Sequence, residues 1–184
     1  MKTQAFLSAL LTILLSVVAS AFTIQGIDLN TGKATEFKPG PKGSVVVFMS
    51  AKCPCSASHV EELKSLRKEH PDYAFVAVHS NTDESKEETE TYFKEAGLPF
   101  PVIQDSGAKI ADEFKALKTP HAFLVSPSGE TLYKGGLSNS KDCRKADRKY
   151  LREALSDLAQ GRPVKNPEGR TLGCAIARGE KHVW

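Results

Sequence analysis

The run Val45-Val-Val-Phe-Met49 constrains this chain more than any other segment. Five consecutive apolar residues leave no polar face for solvent, so they predict a strand covered on both sides. Such strands lie in α/β sheets whose faces are covered by helices. Val60, Leu63 and Leu66 mark a helix closed by Pro71, and Tyr73 to Val78 reads as a second buried strand. Asp83 to Ala96 is an acidic amphipathic helix stopped by Gly97, and Phe100 to Gln104 is a third strand. Ile110, Phe114 and Leu117 mark a short helix; Ala122 to Val125 and Thr131 to Tyr133 form a hairpin around Ser126-Pro-Ser-Gly129. Tyr150, Leu151, Ala154, Leu155 and Leu158 give the last helix one apolar stripe, ended by Gly161. Upstream, Phe22 to Leu29 and Lys33 to Phe37 flank Asn30-Thr-Gly32 as an N-terminal β-hairpin. The order predicts an α/β domain over residues 22–160 with a central mixed sheet, mostly parallel, flanked by helices. Residues 161–184 form a C-terminal tail, with two prolines and three glycines from Arg162 onward.

The first 21 residues read as an export signal. Lys2 is the charged start, Phe6 to Val18 the apolar stretch, and Ala19-Ser20-Ala21 the small-residue cleavage site. The apolar stretch is short for a membrane span of about 20 residues, so cleavage and no stable membrane insertion are expected. Residues 1–21 hold one lysine and no acid, so their loss lowers the formal charge of +3 by one. A near-neutral exported protein, periplasmic or extracellular, is a poor nucleic-acid binder. All four cysteines (Cys53, Cys55, Cys143, Cys174) then lie where disulfides persist.

Cys53-Pro54-Cys55 follows the buried strand and opens the next helix, the kind of junction where α/β sheets carry their sites. A thiol there meets free N–H groups that stabilise a thiolate; Lys52 adds a positive charge, and Pro54 suits a first helical turn. A small cysteine packed beside a strand is the plain alternative, but two cysteines around a proline at this turn favour chemistry.

Residues 45–54, Val-Val-Val-Phe-Met-Ser-Ala-Lys-Cys-Pro, resemble the strand and active-site turn of thioredoxin-like proteins. Lys118-Thr119-Pro120, just before the hairpin, resembles their cis-proline segment. The whole mature chain resembles the redoxin branch related to alkyl hydroperoxide reductase and thiol-specific antioxidant proteins. Exported bacterial redoxin-domain proteins are similar at the single Cys-Pro, at Val78-His-Ser-Asn81, and in the tail from Gly161-Arg-Pro-Val164 to Gly173-Cys-Ala-Ile176. The resemblance implies a thioredoxin-like fold and a thiol-disulfide oxidoreductase. Cys53 and Cys55 would be catalytic, and Pro54, Thr119 and Pro120 would shape the substrate groove. Partners would be a protein disulfide or thiol substrate and an external thiol electron donor. Two motifs depart from the relatives: Ser56 replaces the second cysteine of Cys-x-x-Cys, and Val46 and Ser50 replace the Pro and Thr of the peroxidase motif Pro-x-x-x-Thr-x-x-Cys. Thiol peroxidase activity is therefore an alternative without motif support.

Four cysteines allow three pairings. Cys55 is the favoured local partner of Cys53, although its ring would be small and strained. Cys143 and Cys174 are then the expected structural disulfide. In the superfamily resolving cysteines often lie elsewhere in the chain, so Cys174 could also swing back to Cys53. A Sco-like Cu(I) chaperone is the main alternative, with Cys53, Cys55 and His121 as ligands, or His59 or His79 in place of His121. The Sco spacing Cys-x-x-x-Cys is absent here. No phosphate-binding glycine loop, zinc spacing or haem motif occurs, so no cofactor is expected. Asn81-Thr82-Asp83 reads as a helix cap, Glu84 to Glu95 as a solvated acidic face, and Lys141 to Arg152 as a basic face around Cys143.

Overall fold

The computed structural model describes residues 22–179; the export segment expected at 1–21 lies outside the described residues. The strands are β1 (Ile24–Asp28), β2 (Lys33–Phe37), β3 (Ser44–Met49), β4 (Ala74–His79), β5 (Val102–Gln104), β6 (Lys118–Thr119), β7 (His121–Val125), β8 (Thr131–Gly135) and β9 (Cys174–Ala175). The helices are α1 (Pro54–Ser58), α2 (Val60–Glu69), α3 (Lys86–Ala96), α4 (Lys109–Glu113) and α5 (Tyr150–Ala159).

Seven strands form one sheet in the order β2-β1-β5-β4-β3-β7-β8, while β6 pairs separately with β9. Parallel pairing is confined to the centre, β3 with β4 and β4 with β5. The N-terminal hairpin joins the far edge antiparallel to β5, so the sheet is mixed rather than mostly parallel. Asp28 fixes that edge: one carboxylate oxygen accepts the Val102 N–H at 3.1 Å.

Every residue of β3 is buried, as its apolar run requires. Alternation along the strand divides it between two cores. Val45, Val47 and Met49 pack with α2, α3 and α5 through Leu63, Leu66, Phe93, Leu151 and Leu155. Val46 and Phe48 face the other side, with Ala111 of α4, Phe123, and Ile176 from the tail. Burying such large side chains stabilises by about 1.5–3 kcal/mol each.

Three local expectations change. The helix after the cysteines is two helices, divided at His59, which caps the end of α1 and the start of α2. The acidic helix begins at Lys86 with Ser85 as its cap, not at Asp83: Ser85 Oγ accepts the Glu88 N–H while Glu88 returns to the Ser85 N–H. Gly97, at φ 58°, ends it as expected. The tail crosses back over the domain and contributes β9.

Candidate active site

The site forms where β3 ends. Ser50, Ala51 and Lys52 carry the chain from Met49 to Cys53, which caps α1. Pro54 takes the first helical position, where no N–H is missed. The Ser50 N–H donates to Ser56 Oγ at 3.3 Å, so the residue standing where Cys-x-x-Cys proteins have their second cysteine braces the turn instead.

Cys53 is 1% exposed. Its thiol donates to the Thr119 carbonyl at 3.0 Å, and the Thr119–Pro120 peptide is cis. The antiparallel β6–β9 pair sets Cys174 directly opposite Thr119. Burial alone would push the Cys53 thiol up. Hydrogen bonding by the Cys174 and Thr119 side chains and by the Cys174 and Ser56 amides outweighs burial and brings it down to about 7. Cys174 moves the opposite way, pushed up to about 12 by its hydrogen bond to Cys53 and then by burial. Cys55 is also raised, first by burial and then by the Cys53 charge. One sulfur is thus poised as thiolate, with two protonated thiols beside it.

The structure brings Cys174 to Cys53 rather than to Cys143. Cys143 is buried at the start of a short 3-10 helix, where its N–H donates to Ser58 Oγ at 3.3 Å. Burial and then Glu62 push its thiol up. All four cysteines are free thiols.

The ligand set considered for copper does not assemble. Among the described residues no three His, Cys, Asp or Glu side chains converge as a metal site. His59 is buried with Nδ1 at 2.7 Å from the Cys55 carbonyl and Nε2 at 2.8 Å from Ser138 Oγ. His79 has Nδ1 at 3.0 Å from Gln104 Oε1 and Nε2 at 3.1 Å from Glu84 Oε2. His121, on β7, stacks its ring 4.5 Å from that of Phe123; burial lowers it to about 4.

Glu84 is the residue behind the Cys53 turn that sequence reasoning missed. Read as part of a solvated acidic face, its side chain is fully buried. It accepts the Ala51 N–H at 2.8 Å and the Ser50 hydroxyl, and it faces His79. Burial would raise its carboxyl, but these partners, His79 first, hold it below the usual range. It ties the turn before Cys53 to the end of β4. The signal was Ser85-x-x-Glu88, a capping box that starts the helix after Glu84 and leaves Glu84 in the loop. The basic face also has an inward component: Lys149 and Arg152 each meet the buried Glu62 at 2.6 Å, tying α5 to α2.

The AhpC/TSA family profile matches residues 16–134. An uncharacterized conserved protein from Geobacillus kaustophilus is similar at 25% identity and a TM-score of 0.77, over 88% of this chain and 92% of that one. A hypothetical protein from Sinorhizobium meliloti 1021 is similar at 24% identity and a TM-score of 0.73, over 88% and 93%. A thiol-disulfide oxidoreductase from Bacteroides fragilis NCTC 9343 shares the fold at 20% identity and a TM-score of 0.56, over 77% and 97%. The fold is thioredoxin-like. No curated protein matches the chain.

Proposed function

The chain belongs to the AhpC/TSA family, and from that premise we propose that it is an exported thiol-disulfide oxidoreductase with Cys53 as nucleophile and Cys174 as resolving thiol. The observation that carries this reading is the pairing of a Cys53 thiol near 7 with a protonated Cys174 set opposite Thr119. A thiol near ambient pH combines thiolate population with retained nucleophilicity.

In this reading the Cys53 thiolate attacks one sulfur of a protein disulfide, and the other sulfur leaves as a thiol after taking a proton. Cys174 then gives up its proton and attacks Cys53, forming the Cys53–Cys174 disulfide and releasing the second substrate thiol. An external dithiol restores both cysteines. Glu84, through Ser50 and Ala51, is a positioning residue for the turn. Cys55 is a neighbour whose ring with Cys53 would be small and strained. Export rests on the sequence pattern at 1–21; among the described residues no helix is long and apolar enough to cross a membrane.

The test is dithiol-driven reduction of a model protein disulfide by the wild type and by Cys53→Ser, Cys55→Ser and Cys174→Ser. Cys53→Ser should be inactive, and Cys174→Ser should accumulate a mixed disulfide on Cys53. Cys55→Ser should keep most of its turnover. Equal rates for Cys53→Ser and wild type would sink the assignment.

A further inference from the structure

The tail reaches Cys53 as an extended peptide lying along β6. The register pairs Lys118 with Ala175 and Thr119 with Cys174, and the Ile176 N–H donates to the Leu117 carbonyl at 3.0 Å. Farther along, the Thr82 N–H donates to the Ala177 carbonyl at 3.0 Å, and Arg178 reaches Asp112 at 2.8 Å and the Ala116 carbonyl at 2.6 Å. Ile176 is buried in the core beside Phe48 and Phe123. Upstream, Gly173 lies so close to the Thr119 carbonyl that a Cβ there would overlap it.

We propose that the groove along Leu117 to Pro120 receives an extended cysteine-bearing peptide of the substrate, that the tail is its tethered occupant, and that the groove selects glycine immediately before the reacting cysteine. The proposal rests on Cys53 being the nucleophile. Pairing along β6 uses main-chain donors and acceptors, which any extended peptide can reproduce. With the tail docked, Cys53 is 1% exposed, so an external disulfide reaches it only when the tail lifts. A peptide that takes the tail's register meets the Thr119 carbonyl at the same point, where a side chain has no room. Exchange then proceeds in two balanced steps. Cys53 thiolate bonds to the peptide cysteine as that cysteine's disulfide breaks, and the departing sulfur takes a proton. The tail returns, Cys174 loses its proton and bonds to Cys53, and the peptide leaves as a thiol. One substrate disulfide becomes two thiols while Cys53 and Cys174 are oxidised, and the returning tail displaces the product from the groove it vacates.

The experiment uses two synthetic peptides, one with the sequence of residues 171–176 and one with valine in place of its glycine. Each is a mixed disulfide with thionitrobenzoate, and the readout is the release rate of coloured thiol that is lost in Cys53→Ser. The full-length reduced protein should react about tenfold faster with the glycine peptide. In full-length Gly173→Val the tail should disengage, and alkylation of Cys53 by iodoacetamide should rise about tenfold with the preference for the glycine peptide kept. Equal rates for the two peptides, or unchanged Cys53 alkylation in Gly173→Val, would overturn the proposal. If Cys53→Ser reacts as fast as wild type, the nucleophile assignment fails instead, so the two failures are distinct.

Discussion

Glu84 shows how much one buried carboxylate holds. Its partners are the Ala51 N–H, the Ser50 hydroxyl and His79, all within the wall behind Cys53. Glu84→Ala would leave the Ala51 N–H, the Ser50 hydroxyl and His79 Nε2 without this partner, His79 keeping Gln104 at Nδ1. Leaving buried donors unsatisfied in this way costs about 1–3 kcal/mol, to be read as a lower denaturant midpoint; a loss below about 0.5 kcal/mol would refute the role. His121 makes a second, opposite-facing prediction. Burial, with Lys134 adding to it, lowers its ring to about 4, against an ordinary value of about 6.5 in the unfolded chain. The unfolded chain therefore takes up the proton first. Stability contributed by neutral His121 is whole above about 6.5 and falls as the pH drops toward about 4. His121→Phe should lose less stability than the wild type between pH 7.5 and 4.5; identical losses would sink the argument. The placement of Cys53 at a strand–helix turn was legible because its signal is local: a strand end, a proline and a lysine lie within four residues. Glu84 was not, because its partners Ser50 and Ala51 lie more than thirty residues away, and composition marks only its acidic neighbours.

At the scale of elements, the alternation of apolar runs and helical stripes was readable because each pattern repeats within its own segment. Boundaries depend on single hydrogen bonds, and these the periodicity does not carry. The start of α3 is the clearest case. Asn81-Thr82-Asp83 has the composition of a cap, yet Ser85 makes the reciprocal bonds with Glu88. Ser85→Ala should cost about 1 kcal/mol, while Asp83→Ala should stay within about 0.5 kcal/mol. Urea midpoints of the two variants decide between the caps, and the reverse order would return the helix start to Asp83. β9 was not legible at all. A two-residue strand has no period, and its partner lies 55 residues back in the chain, from Thr119 to Cys174. Proline and glycine in the tail suggested only irregular structure, while Ile176 docks into a core to which β3, β4 and β7 each contribute two buried residues.

On the scale of the whole molecule, the two candidate redox pairs have opposite consequences for stability. A bond between Cys53 and Cys174 spans the chain from α1 through α5 to β9, including four of the seven strands of the main sheet. It closes a loop of about 120 residues, for which the chain-entropy model gives about 4–5 kcal/mol of stabilisation. A bond between Cys53 and Cys55 closes only a few residues, removes little freedom from the unfolded chain, and strains the turn that Ser56 and Glu84 brace. The structure already pays the ordering cost of the tail in the reduced state through the Ile176, Thr82 and Arg178 contacts, so the first bond adds constraint without rearrangement. Oxidising the wild type should therefore raise its melting midpoint by roughly 10 °C, at about 2–4 °C per kcal/mol for a chain of this size. The rise should survive Cys55→Ser and vanish in Cys174→Ser. By linkage, a disulfide that stabilises the fold resists reduction, which makes the reduced protein a donor of electrons to substrate disulfides. A midpoint that falls on oxidation would make the protein an oxidant instead, and a rise that persists in Cys174→Ser would transfer the redox role to the Cys53–Cys55 pair.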